Sequence, residues 1–186
     1  MKFHFFGSLV GDKEVYNLIF NCLKQLGHEP VTYHVLNRKV EDIDKETPDE
    51  SAAYVRKMKR WIQRADFIVF EVTLEEVSIG FEMMLAFGKG KPVLVLYQQN
   101  IGKIPSTLLG IQDERFFISP YKKDLPGDLK ETLKLALGEI RNQINTRFTL
   151  LLPPEIISYL DKLALDKSIP RSVFIRNLIE REMKKK

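Results

Sequence analysis

A carboxylate two residues beyond a glycine, where an apolar strand gives way to a helix, is the chemistry-bearing feature of this chain. Asp66 bounds the apolar run Phe67-Ile-Val-Phe70, rich in aromatic and β-branched residues, which has the pattern of a buried strand. Ser78-Ile-Gly-Phe-Glu82 follows and leads into the helical apolar patch Met83-Met-Leu-Ala-Phe87. Such a junction sets Glu82 at the C-terminal edge of a sheet, where open α/β folds bind ligands. A carboxylate there can stabilise a cationic transition state or trap it covalently. The plainer alternative is a first-turn carboxylate favoured by the helix dipole, worth ~0.3–1 kcal/mol.

The elements needed to hold Glu82 in place alternate along the chain. Lys2-Phe-His-Phe-Phe6 is a strand ended by Gly7-Ser8. A helix opens at Gly11-Asp-Lys-Glu14, with Val15, Leu18, Ile19, Cys22, Leu23 and Leu26 at helical spacing. Val31–Leu36 is the expected second strand, and Asn37–Ser51 a charged loop near the site. A helix follows over Ala52–Arg64, then the Phe67 strand, the Glu82 helix and a fourth strand over Val93–Tyr97. Ser106–Gly110 is a short helical turn, Glu114–Ile118 a fifth strand and Leu125–Asn145 an amphipathic helix. This alternation predicts a flavodoxin-like, doubly wound α/β fold with a five-stranded parallel sheet over residues 1–145.

Composition narrows the class. With 44% hydrophobic and 29% charged residues in 186, the chain is globular. No apolar run is long enough to span a membrane. The N-terminus is already strand-like and lacks a small-residue cleavage site, so a signal peptide is not expected and the cytoplasm is the expected location. Cys22 is the only cysteine and fits a buried thiol. A Gly-rich phosphate loop, a dinucleotide fingerprint and cysteine/histidine metal spacing are all missing, so neither cofactor nor metal is expected. His28 closes a helix and His34 lies in the second expected strand.

Basic and acidic residues balance at 20 each over residues 1–145, whereas residues 146–186 carry 9 basic and 5 acidic side chains. The whole positive excess therefore lies in the tail and points to a polyanion partner there. The tail's pattern is a short strand, Thr146–Leu152, stopped by Pro153-Pro154, then helices over Pro154–Asp166 and Val173–Met183. About 40 residues of this make-up cannot bury an adequate core alone, so a second copy is expected.

Several blocks carry a resemblance. Trp61-Ile-Gln-Arg-Ala-Asp66, Glu71-Val-Thr73 and Gly80-Phe-Glu82 resemble the "WLQ-x-AD … EVT … GxGxE" signature of the nucleoside 2-deoxyribosyltransferase family, most closely its 2'-deoxynucleoside 5'-phosphate N-hydrolase branch. The likeness extends from Phe5-Phe-Gly-Ser8 through Thr32-Tyr-His-Val35 to Ser106. It implies cleavage of an N-glycosidic bond in a nucleoside or nucleotide, with Glu82 at the sugar C1'. It also implies a binding set of His4, Gly7, Ser8, Ser78, Gly80 and Ser106, the last from a neighbouring subunit, and hence a homodimer or higher homo-oligomer.

The chain departs from that pattern in four places. The family's acid/base carboxylate falls at Met58, so Glu71, Glu75 or Asp49 would have to replace it. The phosphate-binding arginine falls at Val10, and a phosphate serine at Glu76, where Ser78 can substitute. A tyrosine that orients the glutamate is replaced by His4, which is either a hydrogen-bond partner of Glu82 or a core residue. These losses leave open a catalytically inactive, nucleotide-sensing transcriptional regulator as the alternative.

Residues 146–186 resemble a ribbon-helix-helix DNA-binding domain through Arg147-Phe-Thr-Leu-Leu-Leu-Pro153, Leu160, Leu163-Ala164 and Arg171-Ser172. That likeness implies a dimer that lays Arg147, Thr149 and Leu151 in the DNA major groove and holds a phosphate near Arg171 and Ser172. Leu151 stands where such domains place a polar residue, which leaves a plain dimerisation clip as the alternative.

Overall fold

The computed structural model describes residues 1–101, 104, 106–123, 126–144, 151–167 and 171–183. The chain divides into two compact units, Met1–Arg147 and Phe148–Lys186. In order, the first unit contains β1 (Lys2–Gly7), α1 (Lys13–Gln25), β2 (Glu29–Pro30), α2 (His34–Asn37), α3 (Val40–Ile43), α4 (Pro48–Arg64), β3 (Phe67–Glu71), α5 (Val77–Gly88), β4 (Val93–Gln98), α6 (Ser106–Leu109), β5 (Phe116–Tyr121) and α7 (Pro126–Ile144). The five strands form one sheet in the order β2-β1-β3-β4-β5, every pair parallel.

A parallel sheet is covered on both faces, which explains the continuous apolar runs of its central strands. Phe3, Phe5, Phe67, Val69, Leu94 and Leu96 pack against α1 and α7 on one face. Phe6, Ile68, Phe70, Val93 and Val95 pack against α4 and α5 on the other. Strand register aligns His4 with Ile68 and Gly7 with Glu71, bringing the ends of β1 and β3 to one edge.

Local chemistry fixes the helix starts. Asp12 caps α1, accepting from the backbone N–H groups of Glu14 (2.9 Å) and Val15 (3.3 Å). Thr47 and Glu50 form a capping box at the start of α4, with Pro48 in its first turn.

Three expectations are corrected. The second strand is only Glu29–Pro30, and His34–Asn37 is helical instead of extended. Three interactions outweigh the β propensity of Val-Thr-Tyr-His-Val: Thr32 Oγ1 accepts from His34 N–H (3.2 Å), Lys13 Nζ donates to the Val35 carbonyl (2.6 Å), and Val35 is fully buried. The expected loop Asn37–Ser51 contains α3 and the first turn of α4. The fifth strand also lies slightly later, at Phe116–Tyr121.

The second unit contains α8 (Pro154–Lys167) and α9 (Arg171–Met183), joined by an ion pair between Arg171 and Asp161. Leu160 is buried, while Ile156, Tyr159, Leu178, Ile179 and Met183 stay exposed. Ile157 is 37% exposed. Residues 146–150 of the expected tail strand, including Arg147 and Thr149, lie outside the described residues, and Leu151 and Leu152 are not in a strand.

Candidate functional site

Glu82 lies nearly two turns into α5, half-buried on the sheet face that α4 also covers. An aromatic group stands close by. Tyr54 and Trp61 lie two turns apart on α4, and their rings meet edge-on at 5.9 Å. The His34 ring stacks on Trp61 at 5.0 Å and on His4 at 4.9 Å, and lies 6.3 Å from Tyr54. The Arg38 guanidinium lies 3.6 Å from the Tyr54 ring centre and is ion-paired with Glu46.

These neighbours set the protonation of Glu82. Burial pushes its carboxyl up to about 8, the charge of Glu76 adds to the rise, and Arg38 opposes it. The Tyr54 phenol is raised chiefly by burial and then by the charge of Glu82, while Arg38 opposes the rise. His34 is lowered to about 4 by burial, with the charges of Arg38 and Lys13 adding to the effect. The wall beside Glu82 is therefore neutral and aromatic at pH 7, with one cation above it.

His4 does not bond to Glu82. Its ring is fully buried, and neither nitrogen has a hydrogen-bond partner. Burial holds it well below the usual imidazole range, so it is a neutral member of the aromatic stack.

Packing explains the first βα loop. Tyr16 donates from its hydroxyl to the Ser8 carbonyl at 2.9 Å. A Cβ at Gly7 would lie 2.8 Å from the Tyr16 ring, and one at Gly11 only 1.9 Å from its hydroxyl. Both glycines thus let the loop close over Tyr16. Ser8 is buried, its Oγ accepting from Val10 N–H at 3.3 Å, while the Val10 side chain is 70% exposed.

On another face of α5, Gly80 opens into a cavity of about 480 Å³ shared with Glu76, Ile79, Met83, Thr107 and Leu108. A Cβ at Gly80 would meet nothing within 4 Å. Ser78 and Ser106 are exposed. In the second unit Leu151 is 94% exposed, Arg171 is exposed, and Ser172 is the second residue of α9, its side chain not among those described.

Glu71 does not restore the missing acid/base carboxylate near Glu82. Met58 is 2% exposed and part of the core between α4 and the sheet. Glu71 projects to the opposite face, lining a cavity of about 340 Å³ with Val15 and Tyr16. There it accepts from Tyr121 Oη (3.0 Å), Thr73 N–H (3.3 Å) and the Thr73 hydroxyl. Asp49 and Glu75 are both exposed.

Arg38, Tyr54 and His34 were not singled out in the sequence. The signal of Arg38 and His34 was hidden because residues 31–51 carry strand-like and loop-like composition. Tyr54 and Trp61 fall two turns apart in the expected helix over Ala52–Arg64, whose start the Thr47-Pro48-Asp49-Glu50 capping pattern marks. Among the described residues no group of His, Cys, Asp and Glu is arranged to hold a metal, and no helix is long and apolar enough to cross a membrane.

No protein-family profile matches the chain. Individual relatives do. A putative 2'-deoxynucleoside 5'-phosphate N-hydrolase 1 from Nematostella vectensis is 33% identical over 135 residues, covering 69% of this chain and 90% of its own. A 5-hydroxymethyl-dUMP N-hydrolase from Danio rerio is 31% identical over 132 residues, covering 67% and 89%. The rat protein of the same name is 28% identical over 160 residues, covering 83% and 89%. The structure of a CMP N-glycosidase from Clostridium botulinum superposes with a TM-score of 0.51 at 14% identity, over 73% of this chain and 99% of that one, and so shares the fold. By these identities and coverages, the chain belongs to the 2'-deoxynucleoside 5'-phosphate N-hydrolase family.

Proposed function

We propose that this protein cleaves the N-glycosidic bond of a nucleoside or nucleotide, with Glu82 beneath the sugar C1'. The observation that carries this reading is the half-buried Glu82 carboxyl, raised to about 8, beside a neutral aromatic wall in a chain related to named N-hydrolases. Tyr54 and His34 offer faces on which a planar base can stack. As the C1'–N bond breaks, its electron pair leaves with the base and positive charge builds on the sugar. That charge favours the ionised form of Glu82, which then stabilises the cation or bonds to C1' before water takes its place. A raised carboxyl gains most from a neighbouring cation, because the free site disfavours its ionisation.

The test is base release followed by chromatography. Wild-type protein and Glu82→Ala are incubated with ribo- and deoxyribonucleosides and their 5'-monophosphates. Release abolished by the substitution supports the reading, and no release from any compound sinks it.

The tail adds a second proposed role. A basic two-helix unit with exposed Ile156, Tyr159, Leu178 and Ile179 suits a ribbon-helix-helix homodimer that binds DNA, with Arg147, Thr149, Leu151, Arg171 and Ser172 as its contacts. The second reading of the whole protein, a nucleotide-sensing regulator without catalysis, is favoured by one observation: the buried thioether of Met58 where the acid/base carboxylate would stand.

A further inference from the structure

Glu71 is a buried carboxyl that the chemistry at Glu82 does not use. It ends β3 and is 4% exposed. Strand alternation sets it on the face of Phe67 and Val69, which α1 and α7 cover. All three of its hydrogen bonds reach one oxygen: Oε1 accepts from Tyr121 Oη (3.0 Å), Thr73 N–H (3.3 Å) and the Thr73 hydroxyl. Thr73 Oγ1 in turn accepts from Gln98 N–H at 2.9 Å, which ties β3 to β4 and holds the carboxyl in place. Oε2 makes no hydrogen bond among the described residues and is not sealed from the surface.

The cavity of about 340 Å³ that Glu71 lines lies at the C-terminal ends of β1, β3 and β4, the edge where open α/β sheets bind ligands. Its size falls within the ~300–1,000 Å³ of small-molecule pockets. Glu82 does not line it. Asp12 and Lys123 are its exposed charged pair, bonded to each other, so their charges offset. A ligand anion would face Asp12 and Glu71, and a ligand cation would face Lys123, so neither sign is favoured. Burial raises the Glu71 carboxyl. A hydroxyl suits Oε2 in either protonation state, accepting from the acid and donating to the carboxylate. Val10 and Ile101, 70% and 71% exposed, add an apolar rim against which C–H groups can pack.

We propose that this cavity is a second ligand site, separate from Glu82, which takes a small neutral polyhydroxylated molecule of pentose size and seats one of its hydroxyls on Glu71 Oε2. The free sugar set loose when a nucleoside loses its base belongs to that chemical class. The site itself rests on its own geometry and not on the reading of Glu82.

The experiment is calorimetric titration of the full chain with 2-deoxyribose, ribose and ribose 5-phosphate. Wild type is expected to bind a neutral pentose in the millimolar range, at least about tenfold more tightly than the phosphate. Glu82→Ala should bind the same pentose as wild type does. Glu71→Leu and Val10→Trp should each weaken it by at least about tenfold, the first by removing Oε2 and the second by filling the mouth. Val10 is exposed, so the tryptophan variant keeps the core intact and decides the matter if Glu71→Leu does not fold. Binding of neither pentose by wild type, or of the phosphate as tightly, would overturn the proposal. So would a loss of binding in Glu82→Ala, or wild-type affinity in Val10→Trp or in folded Glu71→Leu. Absence of base release from every nucleoside would defeat the N-glycosidase reading and leave this titration unaffected, so the two fail separately.

Discussion

The guanidinium of Arg38 lies 3.6 Å from the centre of the Tyr54 ring, and its charge also draws down the Glu82 carboxyl that burial and Glu76 push up to about 8. One cation therefore links the aromatic wall to the candidate catalytic group. In the proposed mechanism ionised Glu82 is the active form, so base release should climb as pH rises through about 8 and level off above it. Arg38→Met removes the opposing charge, and the rising limb should move up by roughly half to one pH unit. An unmoved limb in a folded variant would separate Arg38 from Glu82 electrostatics.

Glu82 is expected to weaken the fold it serves. Its folded carboxyl lies above the ordinary carboxylate range, so the folded state holds a proton that the unfolded state has lost. Stability from this group is complete below pH ~4.5 and is lost as pH rises towards about 8. Glu82→Gln should raise stability at pH 8 by on the order of 1–2 kcal/mol, after allowance for solvent screening, or about 2–8 °C in Tm. Thermal melts at pH 5 and pH 8 check the sign: the gain should be smaller at pH 5.

Met58 offers a test of the missing acid/base group. Met58→Asp sets a carboxylate in a site only 2% exposed, at a cost of about 2–5 kcal/mol. In the fraction that stays folded, base release should rise by up to about 10²-fold, the usual worth of a positioned general acid. A folded variant without gain would show that proton transfer to the base is not limiting.

Gly11 is expected to be intolerant because of Tyr16. The Cβ of Gly11→Ala would lie 1.9 Å from a phenol that is itself 1% exposed, so overpacking should cost about 1–3 kcal/mol. In a Tyr16→Leu background the same alanine should cost much less, measured by denaturant unfolding of the four proteins.

Much of this was legible from the sequence because strong periodicity and tertiary structure agree. The apolar runs at Phe3, Phe67 and Val93 became the central strands, while α5 begins earlier than the expected Gly80-Phe-Glu82 junction, at Val77, and carries Glu82 in its second turn. The region from Val31 to Ser51 was not legible. Its helical turn depends on Lys13 reaching the Val35 carbonyl, a contact 22 residues away that no local pattern encodes. That hid His34 and Arg38, and with them half of the candidate site. His4 was visible, but its partners were not: the ring stacks with His34 and Trp61 instead of bonding Glu82.

The tail is expected to behave as a polyanion binder. Affinity of the full chain for duplex DNA should fall by at least about 10²-fold between 50 and 200 mM salt, and by less in an Arg147→Ala, Arg171→Ala variant. Salt-independent binding would favour a clip that only joins subunits, with dimer formation as its sole readout in sedimentation.

The most direct test of the central claim is single-turnover base release by wild type and the isosteric Glu82→Gln at pH 8.5, using the best substrate from the panel. Glutamine keeps the size and packing of the side chain but cannot supply a negative charge. The account predicts a fall of at least about 10³-fold with substrate binding retained. Equal rates in the two proteins would contradict it and remove Glu82 from the chemistry.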